Sequence, residues 1–218
     1  MEAHRFLRDW LPLVIIYVIY GVGTASHVNE GTRDLMLSMT PGVLLFMGLF
    51  VMHPDFMDRN WKFLWWALVI YIITFSLEAL GVATGLVFGA YEYGNTLGPK
   101  ALEVPVVIGF NWVLVVLGAL VITKRFLNRV MPVALVTAAL TAAITTGFDY
   151  VMEPVAIALD YWTWDAVDIP LHNYVAWFVI SFFVALSYEH LKLETRNTLY
   201  IHYFVVQLVF FAVLNAVV

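Results

Sequence analysis

Cysteine is absent from this chain of 218 residues, which excludes disulfides, thiolate nucleophiles and cysteine-ligated metals and leaves the redox compartment open. Charge is scarce: Asp, Glu, Lys and Arg make up 12%, about half the share usual in a soluble domain. No stretch is polar enough and long enough to fold by itself outside a bilayer, so a separate soluble domain is not expected. Neither a Gly-rich phosphate loop nor a serine nucleophile elbow occurs, and a net charge of −5 argues against nucleic acid as a partner. The N-terminal apolar segment lacks a small-residue cleavage site and is expected to be retained.

What fills the chain instead is apolar, 62% of it hydrophobic, the composition of an integral membrane protein. Crossing the hydrocarbon takes about 20 apolar residues in a helix, at about 1.5 Å each over about 30 Å. Seven segments qualify, near 10–26, 35–52, 61–82, 104–123, 130–149, 172–189 and 199–217, with the first two reading as short. None shows the period-two alternation of a membrane barrel strand, and lipid offers the backbone no other partner than its own helix. The expected fold is all-α: one domain over residues 1–218, a polytopic bundle of seven transmembrane helices.

Basic residues set the expected orientation, because positive loops stay on the cytoplasmic side. Arg5, Arg8, Arg59, Lys62, Lys124, Arg125, Arg129, Lys192 and Arg196 fall in alternate loops, leaving only Arg33 and Lys100 of the eleven on the other side. This predicts a cytoplasmic N-terminus and an extracytoplasmic C-terminus. Carboxylates sort oppositely, with Glu30, Asp34, Glu92, Glu103, Asp160, Asp165 and Asp168 in the outer loops. Filling of loops where basic residues are disfavoured accounts for those as readily as function does.

It does not account for Glu78, expected about a turn inside the end of the third helix, where an ionisable group costs several kcal/mol unless paired, hydrated or protonated. Gly81, Gly85 and Gly89 follow at small-xxx-small spacing, a helix-packing signal that also leaves room for a ligand. Tyr91, Glu92, Tyr93, Gly94 and Pro99 then read as an ordered outer loop. Asp149 and Glu153 reach the same end; on a continuing helix, four residues apart means one face, about 6 Å between Cβ atoms. Two carboxylates so placed do not both ionise cheaply, and one that keeps its proton is a Brønsted acid. The alternative is that Pro154 begins a new helix with Glu153 at its amino end. Asn111 and Trp112 lie below the surface on the fourth helix, and His172, Asn173, Tyr174 and Trp177 at comparable depth on the sixth. Asparagine can be interhelical glue and Trp or Tyr an interfacial belt, the reading preferred for Tyr161, Trp162 and Trp164; convergence with Glu78 and Asp149 favours a site for Asn111, Asn173 and Trp177.

Several chemistries are set aside. Retinal binding needs a lysine in the last helix, and 199–218 has none. The six histidines are scattered, with only His27 and His172 expected outside, so no metal site is expected. A proton-coupled transporter uses intramembrane carboxylates too. Against it, no internal repeat is present and the polar residues gather at one end.

The segments LEALGVATGLVFGAYEYGNTLGP, VPVVIGFNW, GFDYVMEPVA and a W-x-W ahead of IPLHNYVAWF together resemble the membrane-bound carotenoid biosynthesis proteins of the CruF type, which are carotenoid 1,2-hydratases. The resemblance covers about 75–180. It implies cofactor-independent addition of water across the terminal double bond of an acyclic carotenoid end group, giving a tertiary alcohol. Glu78, Asp149 and Glu153 would share the acid and water-orienting roles and Asn111 and Asn173 would position them. Trp112, Tyr174 and Trp177 would wall a carbocation, with Tyr91, Tyr93 and His172 completing the substrate-binding set. The implied partners are a lipophilic carotenoid (lycopene, γ-carotene or a bacterioruberin precursor), membrane lipid and other carotenoid enzymes, in the cell inner (cytoplasmic) membrane. A membrane lycopene cyclase is the alternative, because it makes the same cation and lets a neighbouring double bond capture it.

Overall fold

A computed structural model describes residues 2–127 and 133–217, with side chains from Trp10 onward. Arg129 and the first residues of the fifth expected span lie outside the described residues. Among those described, seven helices form the chain: α1 (Glu2–Val28), α2 (Glu30–Met57), α3 (Trp61–Thr84), α4 (Val107–Leu127), α5 (Ala134–Ala158), α6 (Leu171–His190) and α7 (Leu199–Asn215). Six are long and apolar enough to cross a membrane; α7, at 17 residues, is shorter. The protein is thus a multi-helix, membrane-type bundle, as its composition implies.

The first two helices are the longest, not short as the apolar runs suggested. Only Asn29 separates α1 from α2, and its side chain accepts from the Gly31 amide at 2.9 Å, an N-cap that lets α2 start at once. Glu30, Arg33 and Asp34 therefore belong to the first turns of α2 and not to a loop. At the other end of the bundle, buried Asp55 of α2 accepts from Thr195 Oγ1 at 2.7 Å, Asn197 Nδ2 at 2.9 Å and the Tyr200 hydroxyl at 2.9 Å. Three donors offset the desolvation of one carboxylate and fasten α2 to the α6–α7 connection.

α4 is apolar on every side, and Trp112 through Leu120 are all buried. Such a helix has no face to give to lipid or water and takes the centre: α2, α3, α5, α6 and α7 pack around it. α5 runs along α6, and α1 lies against α2 and α7.

Four short strands modify the all-α expectation: β1 (Tyr91–Tyr93), β2 (Lys100–Ala101), β3 (Val104–Pro105) and β4 (Trp162–Trp164). β2 pairs with β3, and β1 pairs antiparallel with the distant β4. The second of these pairings covers the end of the bundle that holds Glu78, Asp149 and Glu153.

Candidate active site

Glu78 is buried within the last two turns of α3. The helix stops at Thr84 because Gly85 takes φ 69°, a left-handed cap that glycine adopts without steric cost. The three spaced glycines are thus not one packing face. Only Gly81 is helical, and a Cβ there would come 2.8 Å from Phe88 and 3.3 Å from the Tyr91 hydroxyl. Its missing side chain lets the returning chain lie against α3 beside Glu78.

That chain enters β1, whose Y-x-Y faces the W-x-W of β4 in the register Tyr91↔Trp164 and Tyr93↔Trp162. Side chains alternate along a strand. Both pairs of aromatics therefore point inward, and Glu92 and Thr163 point out. The inward hydroxyls and indole N–H groups all find carboxylates. Tyr93 donates to Glu78 Oε2 at 2.8 Å, Tyr91 donates to the same oxygen in a short bond, and Trp112 Nε1 donates to Glu78 Oε1 at 2.6 Å. Trp162 and Trp164 each donate to Glu153 Oε2 at 3.0 Å. The interfacial-belt assignment of these two tryptophans is therefore corrected: their N–H groups face a buried acid. Tyr161, grouped with them, is also buried.

α5 continues without interruption through Pro154 to Ala158, so the proline does not begin a new helix. Asp149 and Glu153 share one helix face, as their spacing requires. Asn173 of α6 spends its two amide hydrogens on them, donating to Asp149 Oδ2 at 2.8 Å and to Glu153 Oε1 at 3.1 Å. The result is uneven. Glu78 and Glu153 each accept three hydrogen bonds, whereas Asp149 accepts one and its fully buried Oδ1 has no partner among the described residues.

The three acids line a single cavity of about 440 Å³. Its aromatic wall includes Trp112 and Trp177, stacked with ring centroids 3.7 Å apart and planes 18° from parallel. Phe88 packs on Trp112 and Tyr91 on Trp164, at 6.2 and 5.1 Å between centroids. Burial first, and then the charge of Glu78, push the phenol pKa of Tyr91 and Tyr93 well above the ordinary value, so both remain donors. The cavity also extends between α1 and α2, where Val18, Val22 and Met39 line it while being 56%, 58% and 47% exposed. It is open on the flank that would face lipid.

Nine of the eleven residues singled out in the sequence line this cavity: Glu78, Tyr91, Tyr93, Asn111, Trp112, Asp149, Glu153, Asn173 and Trp177. His172 and Tyr174 do not. With about 100° between successive helical residues, the face that carries Asn173 and Trp177 turns its immediate neighbours aside. His172 is exposed, and Tyr174 packs on Tyr150 with centroids 5.8 Å apart. The α1 and α7 contributions, His27 and Gln207, were not singled out; their signal is a polar residue in an apolar span. Among the described residues no group of three or more His, Asp or Glu is arranged to hold a metal ion.

No solved structure matches. A bisanhydrobacterioruberin hydratase from Haloarcula japonica is 26% identical over 200 residues, covering 86% of this chain and 67% of that protein. The carotenoid biosynthesis protein family matches residues 39–218, a stretch that contains every acid of the cavity. The chain belongs to the carotenoid biosynthesis protein family.

Proposed function

We propose that this protein is a carotenoid hydratase that protonates the terminal double bond of an acyclic end group and captures the resulting cation with water. The observation that carries the reading is the carboxyl of Asp149, a residue lining an aromatic cavity, whose Oδ1 is buried without a partner among the described residues. The oxygens of Glu78 and Glu153 are occupied by three donors each. Asp149 is the acid with an oxygen free to carry and deliver a proton. An unactivated trisubstituted alkene needs such a donor held in a dry site.

Proton delivery to the less substituted alkene carbon leaves a tertiary cation. The faces of Trp112 and Trp177 and the two occupied carboxylates stabilise that charge. Asn173, bonded to both Asp149 and Glu153, sets their orientation. The long polyene stays in the bilayer and slips its end between α1 and α2, which explains why the catalyst is embedded. The hydratase relative supports a bacterioruberin precursor as substrate, with lycopene and γ-carotene as chemically equivalent end groups. Seven spans, a cytoplasmic N-terminus and an acid cluster at the outer side of the cell inner membrane complete the reading. The basic end of the bundle supports it, with Lys124 paired to Glu189 at 2.6 Å.

Membranes containing the protein are expected to convert lycopene to a product heavier by one water. Ring formation at unchanged mass would identify a cyclase instead. Absence of conversion, with proton-coupled solute uptake into vesicles, would identify a transporter.

A further inference from the structure

α1 and α7 also line the cavity, and besides the Tyr20 hydroxyl they bring to it two buried polar atoms, one on each helix, that the acid cluster does not use. His27 is 6% exposed, and its Nδ1 lies 2.7 Å from the carbonyl oxygen of Gly23. A carbonyl only accepts, so Nδ1 carries the proton and Nε2 of the neutral ring presents a lone pair. That Nε2 has no partner among the described residues. Gln207 is 2% exposed and lies beside the Tyr20 hydroxyl; its Nε2 donates to Asn111 Oδ1 at 3.4 Å, while its Oε1 is buried without a partner among the described residues. Both residues line the same cavity as Asp149. They are also neighbours through Phe210: His27 packs edge-on against that ring, 5.1 Å between centroids, and Gln207 is three residues before it on the same face of α7.

We propose that His27 Nε2 and Gln207 Oε1 form the binding site for the water that captures the cation, a reading that rests on the hydratase assignment. Two acceptors engage the two hydrogens of one water molecule, which turns its oxygen lone pair outward into the cavity. A buried water is held by about three such bonds; two protein acceptors fix it and leave its nucleophilic side free. In the reaction, Asp149 gives its proton to the alkene. The water oxygen then forms the new C–O bond, and one water proton passes to His27 Nε2. Return of a proton to Asp149 as His27 is deprotonated closes the cycle, so the net change is one water added. Acid and water are held by different helices, Asp149 on α5 and the water acceptors on α1 and α7, all lining the one cavity that receives the substrate end.

The inference separates two steps that one acid cluster alone would join. Membranes bearing wild type, Asp149→Asn, His27→Leu or Gln207→Leu are incubated with lycopene in D₂O. Mass spectrometry then follows alcohol formed and deuterium entering the hydrocarbon. The leucine variants are expected to lose alcohol formation by about 2- to 13-fold, the effect of losing one ordinary hydrogen bond. They should continue to exchange deuterium into recovered or cyclised hydrocarbon, because protonation is intact; Asp149→Asn loses both signals. Wild-type alcohol yields in folded leucine variants overturn the proposal, as does parallel loss of alcohol and exchange, which would mark a structural role. Where a leucine variant does not fold, the ratio of alcohol to exchange is read in His27→Gln and Gln207→Asn, which keep buried polarity but displace the acceptor; an unchanged ratio overturns the water site. Wild-type membranes that form no alcohol sink the hydratase assignment itself, and the water site with it.

Discussion

Asn173 donates to Asp149 Oδ2 at 2.8 Å across the α5–α6 interface, and this is the one hydrogen bond that the Asp149 carboxyl receives among the described residues. Its second amide hydrogen holds Glu153 at 3.1 Å. One asparagine thus holds two acids together while leaving Asp149 Oδ1 without a partner among the described residues. The proposed catalytic roles rest on this unequal supply of donors.

Replacing Asp149 by Asn preserves shape and the acceptor for Asn173 but removes the acidic proton. Turnover should fall by at least about 100-fold, the usual contribution of a positioned general acid. Thermal unfolding in detergent should move little, because an isosteric change leaves the packing intact. Glu78→Gln should likewise abolish turnover in a folded protein, since it replaces the carboxyl that accepts from Tyr91, Tyr93 and Trp112. Product mass after co-expression with a lycopene-forming pathway, beside a melting curve, checks both; full activity in both variants removes the acid assignment.

Trp177→Leu takes one ring from the stack with Trp112 while keeping the site apolar. Loss of a cation–π contact of about 0.5–2 kcal/mol should lower kcat by roughly 2- to 30-fold with KM nearly constant. Steady-state kinetics on the same carotenoid distinguishes this from a substrate-binding defect, in which KM alone would rise.

Gly23 lines the cavity beside the α1–α2 opening, and a Cβ built there meets nothing within 4 Å. Gly23→Leu should fold normally and occupy the passage. The expected result is a raised KM for a full-length carotenoid and a much smaller change for a short terminal-isoprenoid analogue. Equal effects on both substrates would move the access route elsewhere.

Tyr91 and Tyr93 bear on stability at high pH. Burial, with the charge of Glu78 second, raises their phenol pKa above the unfolded value, so the unfolded chain gives up these protons first. Their contribution is therefore complete below about pH 10, the ordinary phenol value, and declines as pH rises beyond it. Wild type should lose more stability between pH 9 and pH 11 than Tyr93→Phe does, measured by thermal melts in one detergent. Equal losses would mean that these phenols titrate alike in the folded and unfolded chain.

Much of the site was legible because it rests on local geometry. An ionisable residue inside an apolar run demands a partner wherever it lies, which singles out Glu78 and Asp149. Four-residue spacing puts Asp149 and Glu153 on one face in any helix, as observed. The misreadings came where short-range pattern is ambiguous. Glycines at four-residue spacing suit either a packed helix or a helix end, and the positive φ at Gly85 decided for the end. A W-x-W near an interface suits a belt as well as a strand; its pairing with a Y-x-Y some seventy residues earlier made it a strand.

The chain by itself settled that the protein is a bundle of apolar helices and which of its acids are out of place in lipid, because hydropathy and the 3.6-residue helical period are properties of neighbouring residues. Only the tertiary structure decided which oxygens those donors satisfy and which are left bare. Tyr91 with Trp164, Asn173 with Asp149, and His27 with Phe210 are contacts between distant parts of the chain. Such contacts are selected by the packing of α2, α3, α5, α6 and α7 around α4 and by the need to pair buried polar groups, a condition that no single segment carries.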